Sequence, residues 1–478
     1  MNINLEKILI NKKSIFLIIA LFLFLDLLSF FSFFNLKVNT LIFFLIIIIA
    51  IVLSSYRLKW GIYLLWGELL INSMGQIFFF EISGFRISIR IALWSVVLII
   101  SLIKILRGGL KNFSLKNIPY FKPLAFLALF IFLALIQGLI RNDAIDVFFD
   151  FNAWLYFLSI IPIWQVISTM KEEERKSFYY DIVLIFLAAV LFLSLKSLLL
   201  LFCFSHNLDF ISSLYYWSRD YRLGEITAME GGFYRIFLQA QIFIALAWVI
   251  ILSLREKMKA GLWLGILSFL SSALILSFSR SFWLAGALSF VILLVIQIRK
   301  RKINLALKTF FGTILSLVLG FCLVWLVVKI PIYTSSAQFN LAQLSDRAKI
   351  SDSEEAAISS RWNLLAVMGD DLKQHFFSGR GFGARLEYHS NDPRVEGSYS
   401  TYAFEWGWLD VLLKLGLLGF ISYLYLVLIF LKDKLKNGSS VALAFALSLF
   451  FLVTVNFFTP YLNHPLGIGY LIFLILLC

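Results

Sequence analysis

TFFGTILSLVLGFCLVWLVVKI, residues 309–330, is an apolar run long enough to cross a bilayer as one α-helix, which needs about twenty residues. In hydrocarbon, such a helix satisfies its backbone hydrogen bonds within one segment. Similar runs recur along the whole chain, in which 61% of the residues are hydrophobic and the mean hydropathy is +0.90. We therefore predict an all-α, polytopic membrane protein with about 14 transmembrane helices, and a soluble globule is excluded. The predicted spans are residues 14–34, 38–54, 61–80, 85–106, 123–140, 153–170, 180–204, 235–254, 261–278, 282–298, 309–330, 408–431, 440–458 and 466–478.

Charge sorts the loops between the two sides of the membrane. The formal net charge is +14, which in a soluble protein would indicate a nucleic-acid partner. Most lysines, however, lie in alternate loops, and the positive-inside rule assigns those loops and both termini to the cytoplasm. The lipid bilayer is therefore the expected partner, and nucleic acid is not. We predict membrane helices over 1–330, a large outward-facing loop with a short helix over 331–407, and membrane helices over 408–478.

Arginine predominates over lysine on the predicted outer side. A guanidinium group binds phosphate oxygens in pairs through its planar fork and never loses its proton. We therefore interpret the outer arginines as an outward-facing phosphate site. For any single arginine, snorkelling at the membrane interface is an equally good interpretation.

A short helix is predicted inside the outer loop, and it carries Arg361. Residues 351–354, SDSE, fit a capping box that starts this helix. Its apolar stripe at helical spacing is Ile358, Trp362 and Leu365. After the helix, residues 379–383, GRGFG, are flexible enough for the backbone to approach a ligand closely.

Arg280 lies between two predicted spans with almost no loop to hold it in water. Burying its charge at depth would cost about 2.5 to 3.5 kcal/mol on insertion scales. Arg280 should therefore lie near the outer interface or pair with an anion. A snorkelling arginine in an aromatic belt is the alternative.

The order of these motifs resembles the O-antigen ligase and O-antigen polymerase family. Residues 277–280, SFSR, end one span, Arg361-Trp362 follows in the outer loop, and the glycine cluster 379–383 precedes the helix of residues 416–419, GLLG. The resemblance covers roughly residues 235–430, and the order of the motifs carries it rather than any one of them.

This resemblance implies an enzyme of the bacterial cytoplasmic membrane that acts at the outer face on glycans carried by undecaprenyl diphosphate. It implies that Arg280 and Arg361 bind the diphosphate and serve catalysis. Further substrate-binding candidates are Arg235, Arg380, Gly381 and Gly383.

Glu405 is where the chain departs from the family. Ligases of the family usually carry a histidine eleven residues before the first glycine of the GLLG helix, and here that position is Glu405. A carboxylate can also accept a hydroxyl proton. The change favours a polymerase in which Glu405 is the catalytic base, and an arginine-paired glutamate at the interface is the alternative interpretation.

The expected reaction is an inverting glycosyl transfer to an acceptor glycan, without metal or cofactor. Lipid-phosphate sugar transferases with a metal commonly carry acidic residues in the first outer loop, but here that loop is only residues 35–37. The cysteines and histidines also lack the spacing of a metal site.

Three alternatives stay open. One is an O-antigen ligase that transfers glycan to a lipid A core or another acceptor, and another is a lipid-linked oligosaccharide flippase. A flippase should show cationic residues within its spans and pseudo-symmetric halves, whereas here the arginines crowd the outer side beside one long loop. The third is a non-catalytic scaffold, and other polysaccharide assembly proteins are expected further partners.

Overall fold

The computed structural model describes residues 11–108, 114–330, 339–340, 342–344, 356–391, 395 and 397–476. Helices dominate it, which confirms the predicted all-α class. The helices are α1 (Lys12–Phe33), α2 (Leu36–Tyr56), α3 (Leu58–Ile71), α4 (Ile89–Gly108), α5 (Phe121–Arg141), α6 (Ala144–Phe151), α7 (Ile160–Thr169), α8 (Glu172–Ser205), α9 (Ile211–Asp220), α10 (Gln241–Ser253), α11 (Ala260–Ser277), α12 (Arg280–Arg299), α13 (Ile303–Lys329), α14 (Ala356–His375), α15 (Gly407–Asn437), α16 (Ser440–Val455) and α17 (Pro465–Leu476). Three antiparallel hairpins pair β1 (Phe79–Ile82) with β2 (Phe85–Ser88), β3 (Gly224–Ala228) with β4 (Tyr234–Leu238), and β5 (Leu386–Ser390) with β6 (Gly397–Thr401).

Nine helices in the described part of the chain are long and apolar enough to cross a membrane. They are α1, α2, α4, α5, α8, α11, α12, α13 and α15. Helix α6 and the segment Trp154–Thr169 add a tenth candidate, which is bent by 43°. Helices α10, α16 and α17 are apolar but shorter. A multi-pass membrane protein is thus supported, whereas the total of fourteen spans stays a prediction.

The predicted span 61–80 is only partly helical. Helix α3 ends at Ile71, and the hairpin of β1 and β2 begins at Phe79. The intervening residues include Asn72, which leaves the helix in an extended conformation, and Gly75, which has a φ of 77° in the turn before the hairpin. The short apolar run after it pairs as a strand, which periodicity alone cannot distinguish from a helix.

Two more predicted spans contain non-helical segments. The span 235–254 begins with strand β4, because Tyr234–Leu238 pairs with β3 before helix α10 starts. The span 153–170 begins with a 3-10 turn over Trp154–Ser159 and continues as α7. Pro162 sits in the first turn of α7, where its missing N–H needs no intrahelical partner.

Two compact units make up the chain. The first comprises Met1–Phe113, Ser159–Ser345 and Ser439–Ser448, and the second comprises Ser114–Leu158, Asp346–Gly438 and Leu449–Cys478. The domain boundaries predicted from the sequence, after residues 330 and 407, follow the ends of the membrane segments rather than these compact units. They stay a prediction.

Helix α8 lies at the centre of the first unit, packed against α1, α3, α10 and α11. A buried ion pair at 2.5 Å joins Lys196 Nζ on α8 to Asp26 Oδ2 on α1. A second buried pair at 3.0 Å joins Arg90 Nε on α4 to Glu68 Oε2 on α3. These two pairs join charged groups of neighbouring apolar helices, as a low-dielectric interior favours.

A break in helix α15 organises the second unit. At Gly416 the backbone turns to a φ of 68° and a ψ of 179°, which interrupts the helix and frees carbonyl groups before the break. The amide N–H groups of Arg380 and Gly381 bind the carbonyl oxygens of Leu413 and Lys414 at 2.7 and 3.1 Å. Residues 379–383, which we name the glycine loop, are thereby hydrogen-bonded to the break.

Close backbone approach explains the glycines of the loop. Gly379 and Gly381 have φ angles of 67° and 78°, in the left-handed region. A Cβ atom at Gly379 would lie 2.6 Å from the amide nitrogen of Gly416, and one at Gly381 would collide with that of Gly138 on α5. Only glycine combines an unstrained left-handed backbone with the absence of a Cβ atom, and these positions require both.

We predict that Gly379→Ala lowers the thermal unfolding temperature of the full-length protein much more than Gly397→Ala does. Gly397 also has a positive φ, 101°, but a Cβ atom added there would meet nothing within 4 Å. Left-handed strain costs about 1 to 2 kcal/mol in either variant. Only the Gly379→Ala change also requires the backbone around Gly416 to move. Equal losses would contradict the packing of the glycine loop against α15.

Candidate functional site

Helix α14 is fixed by a buried apolar cluster of the second unit. Leu364 and Met368 of α14 pack with Leu386, Phe404 and Leu413. Positions 364 and 368 are four residues apart and therefore share one helix face. This face holds α14 against the hairpin and the start of α15, so that Arg361 is carried on a packed helix.

The apolar face of α14 differs from the predicted stripe. Trp362 is 60% exposed and does not belong to the buried face. Its ring lies 6.1 Å from the ring of Trp406, near the entrance to α15. The predicted capping box at residues 351–354 and the side chain of Ile358 lie outside the described residues.

Arg361 and Glu405 form an ion pair. The Nε of Arg361 donates a hydrogen bond to Oε2 of Glu405. The indole N–H of Trp406 donates to the main-chain carbonyl of Arg361 at 3.1 Å. Both charged side chains are about half exposed, at 45% and 51%, so a ligand can reach either one. The structure thus brings together two of the three predicted catalytic residues.

Arg380 is paired with a carboxylate as well. Its Nη1 lies 2.7 Å from Oδ1 of Asp371, and its side chain remains 31% exposed. Gly381 and Gly383 are buried, and their amide N–H groups already bind Lys414 O at 3.1 Å and Asp150 Oδ2 at 2.8 Å. The structure therefore gives these two glycines a packing role, and their contact with substrate stays a prediction.

Arg385 adds a further cation after the glycine loop. It binds Asp146 with two hydrogen bonds, from Nε at 2.5 Å and from Nη2 at 2.7 Å. Its guanidinium group lies 5.6 Å from the centre of the Tyr402 ring. Burial raises the pKa of Tyr402, and the negative charges of Asp150 and Asp146 raise it further, so the phenol remains a hydrogen-bond donor.

A buried ionic cluster lies beneath the glycine loop. Lys414 Nζ lies 2.6 Å from Oδ1 of Asp150 and 2.5 Å from Oδ1 of Asp410. All three side chains are less than 10% exposed. A lone buried charge would be strongly destabilising, so each member of the cluster depends on the others.

Arg235 and Arg280 belong to the first unit. Arg280 is the first residue of α12, and the dipole of a helix favours an anion near its N-terminus. Arg235 lies on β4 and donates from Nε to the carbonyl of Ser277 at 2.8 Å. Its Nη1 is 3.7 Å from Oε2 of Glu225. Because Ser277 ends α11, Arg235 is held at the same helix-to-helix corner as Arg280.

Three of the candidate arginines, taken unit by unit, pair with carboxylates that a stronger anion could displace. Arg361 pairs with Glu405, Arg380 with Asp371 and Arg235 with Glu225. A diphosphate offers more oxygens and more charge than one carboxylate. Within the described residues, no three His, Cys, Asp or Glu side chains are grouped so as to hold a metal ion.

Comparison with known proteins gives one match. The family model described as O-antigen ligase matches residues 265–424. This match confirms the resemblance to the O-antigen ligase and polymerase family. No curated protein and no solved structure matches the chain.

The O-antigen ligase match includes most of the candidate site. It covers Arg280, Arg361, the glycine loop and Glu405, and it ends within α15, whereas Arg235 lies before it. It supports O-antigen ligase-type or polymerase-type activity and a glycosyltransferase-like enzyme with a lipid-linked glycan and an acceptor as substrates.

Sequence reasoning missed the ionic cluster of Asp150, Asp410 and Lys414. One signal was available: Asp410 and Lys414 lie four residues apart inside a predicted apolar span, and charged residues there are rare and usually paired. Asp150 could not be added from the sequence, because 264 residues separate it from Lys414.

Proposed function

We propose that the protein is a polysaccharide polymerase of the O-antigen type. It transfers a glycan from undecaprenyl diphosphate to an acceptor sugar hydroxyl at the outer face of the cytoplasmic membrane. The observation that carries this proposal is the ion pair of Arg361 with Glu405. The pair joins a group suited to phosphate binding with a group suited to proton transfer, both accessible and both within the matched region.

The proposed reaction is a single displacement. The bond between the anomeric carbon of the sugar and the diphosphate oxygen breaks, and a bond to the acceptor oxygen forms on the opposite face. The acceptor proton passes to Glu405, and undecaprenyl diphosphate leaves with the electron pair of the broken bond. Attack from the opposite face inverts the anomeric configuration.

The arginines act on the leaving group. Negative charge grows on the diphosphate as the glycosyl bond breaks, and cations aimed at that charge lower the barrier. Arg361 and Arg280 have this role, with Arg235 and Arg380 as further phosphate-binding residues. Since these side chains supply the positive charge that a metal ion would otherwise provide, the proposed reaction is metal-independent.

Donor binding and base release are coupled in this proposal. In the structure, Glu405 is the partner of Arg361. A diphosphate that binds Arg361 through two oxygens displaces Glu405, which then becomes available to the acceptor hydroxyl. The base is thus released when a donor is present.

A ligase is the second candidate, because the matching family model carries that description. The two enzymes differ in the acceptor, which is a growing glycan for a polymerase and a lipid A core or another acceptor for a ligase. Glu405, where family ligases usually carry histidine, favours the polymerase. The family match also favours either enzyme over a flippase, which forms no glycosidic bond.

The first experiment supplies purified protein in lipid nanodiscs with a lipid-diphosphate-linked repeat unit as its only glycan. We expect polymer and free undecaprenyl diphosphate from the wild type, seen by gel and by mass spectrometry. Arg361→Lys should fail nearly as badly as Arg361→Ala, because the lysine keeps the charge but loses the two-pronged fork. Each charged hydrogen bond of this kind contributes about 1.5 to 3 kcal/mol.

Two outcomes of this assay would contradict the proposal. Product that forms only after a lipid A core is added would identify a ligase. Full activity of Arg361→Lys would mean that Arg361 contributes only a positive charge at the surface.

Glu405→Gln is expected to bind the donor but to lose extension of the glycan. Glutamine keeps the size of glutamate but cannot take the acceptor proton, a contribution of about a hundredfold to ten-thousandfold in rate. Donor binding and polymer length are measured side by side in this variant. Arg280→Ala is the control with the opposite expectation for donor binding: it should lose donor binding as well as extension of the glycan. Full-length polymer from Glu405→Gln would mean that the base is another residue.

A further inference from the structure

Asp150 and Asp410 both form an ion pair with Lys414 but differ in their second partner. Each places Oδ1 within 2.6 Å of Lys414 Nζ. The Oδ2 of Asp150 accepts the amide N–H of Gly383 in the glycine loop at 2.8 Å. The Oδ2 of Asp410 accepts from Nδ2 of Asn463 at 2.6 Å, outside that loop. Of the two aspartates, Asp150 is therefore the one with a hydrogen bond from the glycine loop.

The glycine loop is held at both ends by groups around Lys414. At its start, Arg380 N–H binds Leu413 O and Gly381 N–H binds Lys414 O. At its end, Gly383 N–H binds Asp150, which binds the side chain of Lys414. The loop thus contacts both the main chain of one buried lysine and, through Asp150, its side chain. The partly exposed side chain of Arg380 extends from the loop to Asp371.

We propose that Asp150 is a positioning residue, which fixes the glycine loop and through it Arg380. A carboxylate suits this position because both of its oxygens accept hydrogen bonds, one from Lys414 and one from Gly383. An amide has one accepting oxygen, so asparagine in either orientation loses one of the two contacts. The effect on donor binding rests on the proposed role of Arg380, whereas the effect on the loop does not.

Asp410→Asn is the matched control for Asp150→Asn. Both changes remove one negative charge from the same lysine, and both leave it in a neutral pair with the remaining aspartate. Both also replace a carboxylate that bridges two donors by an amide that cannot. The two variants should therefore change the thermal unfolding temperature by similar amounts, and they differ in whether the hydrogen bond to Gly383 of the glycine loop is lost.

The test is hydrogen–deuterium exchange of the full-length protein without substrate, in peptides that cover residues 379–385. We expect Asp150→Asn to speed exchange of this segment about tenfold, the effect of one lost charge-assisted hydrogen bond, and Asp410→Asn to leave it near the wild-type rate. Unchanged exchange in Asp150→Asn, or an equal increase in both variants, would overturn the positioning role.

Steady-state kinetics with the lipid-diphosphate-linked repeat unit separates positioning from loss of folded protein. A smaller folded fraction lowers the apparent kcat at unchanged KM, whereas a displaced Arg380 raises the donor KM, by about threefold to tenfold. We expect the rise in KM in Asp150→Asn alone. Faster loop exchange with an unchanged donor KM would keep Asp150 as the anchor of the loop and overturn the phosphate-binding role of Arg380.

Discussion

The break of helix α15 at Gly416 is the constraint on which the second unit depends. An interrupted helix leaves carbonyl groups that need donors, and where the break is buried these donors come from the protein. The glycine loop supplies two, from Arg380 and Gly381. The loop can come this close only because glycine stands at both contact points, Gly379 and Gly416. The two glycine motifs of the sequence are therefore one structural feature, and Lys414, just before the break, ties it to the ionic cluster below.

Three of the candidate arginines, Arg361, Arg380 and Arg235, pair with carboxylates. Partly exposed pairs such as Arg361 with Glu405 are worth little in stability, about 0 to 1 kcal/mol, so they can open at small cost. The buried cluster of Lys414 is different, since loss of the lysine would leave two buried carboxylates without their cation. The second unit thus combines a rigid buried cluster with arginines that can exchange partners. This combination suits an enzyme that must bind a charged donor and then stabilise a leaving diphosphate.

Much of the fold could be predicted from the sequence, because apolar run length is a strong signal for membrane helices. The strand at Tyr234–Leu238 could not, since it depends on pairing with Gly224–Ala228. The predicted apolar face of α14 is also wrong: Trp362 and Leu364 are both apolar, and tertiary packing decides which one is buried. For the site, the resemblance selected Arg361 and Glu405, which the structure pairs. The contacts of Asp150 could be recognised only in the structure, since its partners Gly383 and Lys414 are distant in sequence.

The central claim is that donor diphosphate and Glu405 compete for Arg361. The most direct measurement is the affinity of undecaprenyl diphosphate for the full-length protein in nanodiscs, by calorimetry, in the wild type and in Glu405→Gln. Removing the competing carboxylate should tighten binding by about twofold to fivefold, the equivalent of one exposed ion pair. Unchanged or weaker binding in Glu405→Gln would contradict the competition and, with it, the coupling of donor binding to release of the base.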